Sequence, residues 1–230
     1  VTLVKHLNQI QEKNHSNTDD KLKIVTKTCL SFALDKQADS NSSLCAWRAG
    51  SQDIGHTFGR QALPMVWDFV EGNVIGGSTR DWSNAIEGVL KAITSLDPEI
   101  VSGHAEQNDA IYMGLPNDSA NVFLTDPPYY DAVPYADLSD FFYVWLKRTI
   151  GNLYPDLFAT PLTPKTEEIV QMQHWDPVRY KEKDKLWFES MITKAFQEIH
   201  RVLKPEGVAV IVFAHKSTDA WETIINALLN

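Results

Sequence analysis

Cysteine, long apolar runs, positive charge and glycine-rich loops are all scarce in this sequence. There are two cysteines in 230 residues, Cys29 and Cys45. Their spacing fits neither a zinc-binding pair nor a disulfide framework, so reduced core thiols are expected. No apolar run approaches the roughly 20 residues of a membrane span, and the opening stretch VTLVKHLNQIQEKNH is interrupted by polar residues too often for a signal peptide. A cytoplasmic protein with no membrane partner is the expectation. Lys and Arg number 21 against 30 Asp and Glu, a net charge of −9, which disfavours broad attraction to nucleic acid because cationic side chains supply most of that affinity. Any polynucleotide contact must be local. The only glycine cluster, GNVIGGST at 72–79, follows no strand-like run and reads as a turn rather than a phosphate loop. No histidine pair has metal spacing, and no Ser-His-Asp or Cys-His grouping has supporting context. Metal and nucleophilic catalysis are therefore disfavoured.

What is present is an ordinary globular composition, 43% hydrophobic and 22% charged, long enough for one substantial core and an extra lobe. The chain opens in an amphipathic pattern (Val1, Val4, Leu7, Ile10) and stops in another, as an excised piece would. DDKLKIVTKTCLSFAL places Leu22, Val25, Cys29 and Phe32 on one helical face behind Asp19 and Asp20. Residues 35–81 lack a sustained period. From Trp82 the residues Ala85, Ile86, Val89, Leu90 and Ile93 follow a helical template with Ser83 available as cap, and a short strand is expected at Ile100–Ser102. LSDFFYVWLKRTI reads as a hydrophobic helix and 151–183 as loop. LWFESMITKAFQEIHRVL is an amphipathic helix halted by Lys204-Pro205-Glu206-Gly207. A continuous run, VAVIVFA, then reads as a fully buried strand, and a last helix is capped by Ser217 or Thr218. Helix, turn, buried strand, helix is a crossover unit on a parallel sheet. The expected fold is α/β, a partial doubly wound, Rossmann-like sheet with helices on both faces. The expected division is a helical and irregular part at 1–81 packed on a core at 82–230.

The chemistry concentrates in NVFLTDPPYYDAVPYADL, where the apolar strand Val122–Leu124 stops at Asp126-Pro127-Pro128-Tyr129 because two prolines forbid further ladder bonds. Ligands of open α/β sheets sit at such strand ends. A stiff loop with a local Asp turn bond is the plain structural account, but a given four-residue string arises by chance in only about one chain of this size in a thousand. The chemical account starts from an amine conjugated to an aromatic base, whose delocalised lone pair is a weak nucleophile. A carboxylate and a carbonyl side by side accept both N–H bonds and stabilise the charge that grows as the nitrogen attacks a methyl group. Asp126 and the Pro127 carbonyl suit that work, since proline's fixed φ holds the carbonyl rigidly. Tyr129 suits stacking of an extruded base, worth about 1–3 kcal/mol.

These residues, with FGRQALPMVWDF and VLKPEGVAVIVFAHKSTDAWETIINALL, resemble a family of adenine-specific DNA methylases that use S-adenosylmethionine, some of whose members carry a zinc ribbon. The resemblance covers roughly residues 20–230. It implies Asp126, Pro127, Pro128 and Tyr129 as catalytic and base-holding residues. GHAEQND stands where the third cofactor-contacting segment ends its strand, so Gly103, His104 and Ala105, with Asp126, are implied at the cofactor. Family members also carry a Phe-x-Gly-x-Gly loop and an acidic residue for the cofactor ribose. This sequence has neither in a strand-to-helix setting, nor the zinc ribbon. Part of the cofactor site is expected outside these residues or on another chain.

Other candidates are weaker. His215 and Lys216 follow VAVIVFA at its carboxyl end, where pocket lining and plain helix capping fit equally. Of Tyr130, Asp131, Tyr135 and Asp137, one or two are expected at the base. VRYKEKDK reads as a solvated helix start, with Glu182 and Asp184 between the cations. Lys147 and Arg148 complement a helix dipole, and the aromatic row from Phe141 to Trp145 reads as core. The leading expectation is methyl transfer to the exocyclic amine of a nucleobase, N6 of adenine in DNA first, with N4 of cytosine or an RNA base as alternatives. The competing expectation is a methyltransferase fold that serves as a structural or interaction module.

Overall fold

The computed structural model describes Val4, Lys5, Leu7 and residues 17–59, 62–77, 80–97, 99 and 101–229. It is mixed α/β with five named helices and two two-stranded sheets among these residues. The chain divides into two compact units, Val1–Val101 with Ala136–Lys165, and Ser102–Tyr135 with Thr166–Asn230. No described helix is long and apolar enough to cross a membrane, and both cysteines are free thiols.

In the first unit, helix α1 (Asn17–Ser40) carries the expected helix but turns the opposite face inward. Leu22, Val25 and Phe32 are more than half exposed, while Lys27, Ser31 and Asp35, spaced i, i+4, i+8, are buried. The apolar stripe was expected inside. Ala33 and Leu34 are buried as well, and the helix is tied to its surroundings by Gln37, whose Nε2 donates to the carbonyls of Arg80 and Asp81, each at 2.9 Å, while Ser31 Oγ donates within the helix to Lys27 O at 2.8 Å. Burial pushes the Asp35 carboxyl up to about 7, and among the described residues no partner reaches its Oδ1. Of the first expected amphipathic stretch, Val4, Lys5 and Leu7 are helical and Leu7 is buried; Val1 and Ile10 lie outside the described residues.

A small antiparallel hairpin follows, β1 (Trp47–Arg48) and β2 (Asp53–Ile54). The glycine cluster is a turn as far as it is described, with Gly77 at φ +71° and Gly76 N bonded to Asn73 O. Helix α2 (Trp82–Thr94), expected to open the second part of the chain, belongs to this unit. Its cap is Asp81, not Ser83: the Asp81 side chain accepts from Asn84 N at 2.8 Å and from Gly77 N at 3.0 Å. The strand expected at Ile100–Ser102 is not formed over Val101 and Ser102, and Ile100 lies outside the described residues. Helix α3 (Tyr135–Ile150) buries Tyr143 and Ile150, and Tyr143 Oη donates to Thr160 O at 2.6 Å.

The second unit holds the parallel pair β3 (Ala120–Thr125) and β4 (Leu203–Ile211), helix α4 (Lys185–Val202) and helix α5 (Thr218–Leu229). Phe188, Ile192, Ala195, Phe196 and Ile199 fall on one face of α4 and pack with Ile169, Ile224 and Ala227. Each large side chain fully buried there contributes about 1.5–3 kcal/mol. Asp184 caps α4 by accepting from Trp187 N at 2.8 Å, and Ser217 caps α5 by accepting from Ala220 N at 3.3 Å. The helix runs straight into β4, so Lys204-Pro205-Glu206-Gly207 is not a separate turn. Register passes from Ala120↔Leu203 to Val122↔Val208, and the surplus residues bulge out of the ladder.

Burial of β4 is the main departure from expectation. Phe123, Ile211 and Phe213 face the helical core, whereas Val122, Leu124, Val208, Val210 and Val212 are exposed on the other face. Only one face of this pair is covered, so the continuous apolar run does not mean burial on both sides here. Lys183, expected in a solvated stretch, is also buried: its Nζ bonds Glu168 O and lies 5.0 Å from the centre of the Trp187 ring.

Candidate active site

β3 stops after Thr125, whose carbonyl takes the last ladder bond from Val212 N at 2.8 Å, and the chain enters Asp126-Pro127-Pro128-Tyr129 at the carboxyl end of the parallel strands. Pro127 is buried and Pro128 half-buried, so the turn is anchored by its rings while Asp126 stays exposed. Pro128 O accepts from Tyr130 N at 3.0 Å and Tyr129 O from Ala132 N at 3.0 Å, closing two tight turns in succession. Tyr130 takes φ +57° to make this possible, a left-handed conformation that costs a tyrosine strain. Its carbonyl is tied by Gln171 N at 2.9 Å.

Interaction with the Asp126 carboxylate, and then burial, hold the Tyr129 phenol above its ordinary pKa. A carboxylate offers about four lone-pair directions, so Asp126 can accept from more than one donor. Tyr135 is also close: partial burial and then the charge of Asp126 raise its pKa. The Tyr129 ring stands perpendicular to Phe213 with centres 5.5 Å apart, and Phe213 meets Trp221 edge-on at 5.1 Å.

His215 joins this group from beyond β4. Its ring lies nearly parallel to Phe213, its Nε2 is 3.2 Å from Asp131 Oδ1, and its Nδ1 is 2.9 Å from Ser217 Oγ. His174 approaches the other Asp131 oxygen at 3.8 Å, and Trp175 Nε1 donates to the Asp131 carbonyl at 3.2 Å. Asp131 thus ties the turn after the motif to two other segments of this unit.

Asp126, Pro127, Pro128, Tyr129, Tyr135 and His215 are brought into one neighbourhood. Tyr130 sits beside them but turns its ring edge against Phe188 in the core, 5.2 Å between centres; burial, then the charge of Asp219, raise its pKa. It packs rather than faces solvent. Lys216 is exposed. Gly103, His104 and Ala105 lie on an exposed irregular stretch, where a Cβ on Gly103 would meet nothing within 4 Å and His104 pairs with Glu106 at 3.0 Å. No group of three or more His, Cys, Asp or Glu among the described residues is placed to hold a metal.

Phe213 and Trp221 are site neighbours that the pattern of residue types did not single out. The signal was available for Phe213, since Ile211, Phe213 and His215 alternate onto one side of an extended chain. Trp221 reaches the cluster through the turn into α5, where its Nε1 donates to His215 O at 3.0 Å. Compared with known families, with curated proteins and with solved structures, the chain matches none.

Proposed function

We propose that this chain carries the amine-activating half of a methyltransferase acting on the exocyclic amine of a nucleobase, N6 of adenine in DNA. The observation that supports it is the exposed carboxylate of Asp126 at the carboxyl end of two parallel strands, beside a buried, rigid Pro127 and a half-buried aromatic ring. The amine's two hydrogens go to Asp126 and to the Pro127 carbonyl. As the nitrogen took the methyl group, the donor's carbon–sulfur bond would break with its electron pair leaving on sulfur; the two oxygens would stabilise the cationic nitrogen until its proton passed to solvent. Tyr129, backed by Phe213, stacks the extruded base.

Tyr129 lies beside the Asp126 carboxylate, and a carboxylate's several lone-pair directions leave room for an amine donor as well. His215 and Asp131 keep the turn in place and act as positioning residues. S-adenosylmethionine is the proposed methyl donor. The roles assigned concern the amine side of the reaction alone.

The test is Asp126→Ala in the active protein, with methyl transfer to duplex DNA as readout. Loss of one such electrostatic partner is expected to lower turnover by roughly 100- to 1000-fold, and because Asp126 is exposed the thermal unfolding curve should be little changed. Turnover within about threefold of the parent would end the proposal.

The second reading, a fold kept for interaction, draws on a different observation: five aliphatic side chains, Val122, Leu124, Val208, Val210 and Val212, stand exposed on one sheet face. Such patches mark contact surfaces.

A further inference from the structure

Among the described residues, Asp35 Oδ1 is the only buried side-chain oxygen or nitrogen without a hydrogen-bond partner. Asp35 stands in the second half of α1 and is 9% exposed, on the face that also buries Lys27 and Ser31. Buried polar atoms are nearly always bonded, and a buried carboxylate is almost always paired. Desolvation acts on charge, so an orphaned carboxylate costs far more to bury than the same group as a neutral acid. The interior of the first unit therefore accepts one protonation state of this side chain and resists the other.

None of the charged groups around it offsets that cost. On α1 itself Ser31 Oγ donates to Lys27 O, Lys27 stands two turns away, and Asp39, one turn further on, adds like charge that is held by His56 Nδ1 at 2.5 Å. From α2 come buried Ala85 and half-buried Ile86 and Val89, with Glu87 and Lys91 exposed. At the start of α2 the Asp81 carboxylate accepts from Asn84 N and Gly77 N, and Arg80 beside it turns to Asp53 and to the His56 ring. The neighbouring Lys36 reaches towards Gly88, where a Cβ would stand 2.9 Å from its Nζ. Tyr154 Oη meets α1 at Thr28 Oγ1, 3.1 Å away. Burial alone pushes the Asp35 carboxyl up to about 7 from 3.8.

We propose that Asp35 is a pH-responsive switch for the packing of α1. Protonated, the side chain is a neutral acid that the interior holds; ionised, it favours conformations in which α1 moves out far enough to admit water. Such a movement releases identifiable bonds: Gln37 Nε2 to the carbonyls of Arg80 and Asp81, and Asp39 O, which accepts from Thr57 N at 2.8 Å and Thr57 Oγ1 at 2.7 Å. These bonds join α1 to the start of α2 and to the segment after β2, so a change at one carboxyl reaches both. A carboxyl whose folded pKa lies above its unfolded one binds its proton more tightly in the folded chain. The docking of α1 is therefore firmest below about 3.8, weakens as pH rises towards about 7, and is level above that. The inference stands apart from the methyl-transfer proposal, since it uses no residue of the Asp126 site.

Amide hydrogen exchange of the full 230-residue chain, run on the parent and on Asp35→Asn from about pH 5.5 to about pH 8, tests it. Asparagine keeps the shape of the side chain and removes its titration. Protection of the α1 amides, corrected for intrinsic exchange at each pH, is expected to fall in the parent relative to Asp35→Asn as pH rises. One proton sets the slope at up to about tenfold per pH unit, and the ratio should level off above about 7. Carbon-13 NMR of the Asp35 carboxyl in the parent reads the same event without any variant, and titration near neutrality is expected. Titration in the ordinary aspartate range, or a protection ratio that stays constant with pH, would overturn the proposal.

Discussion

Glu198 accepts three hydrogen bonds: from Arg201 Nε and Nη2, both at 2.7 Å, and from Met113 N at 2.8 Å. Arg201 reaches on to Asn117 Oδ1 at 2.6 Å and Leu115 O at 2.9 Å, so this pair ties the last turns of α4 to the segment that enters β3. The guanidinium bonds first, and the Met113 amide second, hold the Glu198 carboxyl down to about 2 from its ordinary 4.5. A carboxylate whose pKa is lowered by folding contributes stability above its ordinary value and loses it as pH falls through the folded one. Glu198→Gln should therefore be less stable than the parent at neutral pH, and the gap should close as pH falls from about 4.5 towards about 2. Thermal unfolding followed by circular dichroism across that range checks it; a gap that does not change with pH would show that the charge plays no part. Asp126 was legible without coordinates because its neighbours in sequence are its neighbours in space. Glu198 was not, because Met113 and Leu115 lie more than eighty residues earlier and nothing in the spacing of polar residues encodes that return.

At the scale of elements, α3, α4, α5 and β3 follow from their periodicity, since an apolar stripe at helical or alternating spacing must be buried against something. Failures came where the pattern was right and the partner differed. In α1 the stripe Leu22, Val25, Phe32 exists but faces out, while Ala33 and Leu34 are buried and Gln37 ties the helix to the carbonyls of Arg80 and Asp81. β4 was read as buried on both sides because its apolar run is continuous, yet only alternate residues meet the helices. This difference is measurable. Val210→Thr, on the open face, should change unfolding free energy by no more than about 0.5 kcal/mol, whereas Ile211→Ala, packed on the core, should cost roughly 1–3 kcal/mol. Chemical denaturation of the two variants checks it, and a Val210→Thr cost equal to that of Ile211→Ala would mean that the open face is covered in solution.

Across the whole molecule, Gly103, His104 and Ala105, which the resemblance implies at the cofactor, lie on an exposed irregular stretch. Calorimetric titration of S-adenosylmethionine into the 230-residue chain is accordingly expected to show weak or no binding. Micromolar affinity would reveal a cradle built from other residues and would count against the interaction-module reading. The sequence by itself determined the local grammar: which segments coil, where prolines end the strand, and that a carboxylate, a rigid carbonyl and an aromatic ring stand together after it. These depend on neighbours a few residues apart, whose geometry is set by backbone sterics and proline's fixed φ. Only the tertiary structure decided which face of each element is covered, and that Phe213 and His215 return to Tyr129 and Asp131. Burial and distant charge pairing belong to packing between segments far apart in the chain, where many arrangements satisfy the same local pattern and the least costly one is settled by the molecule as a whole.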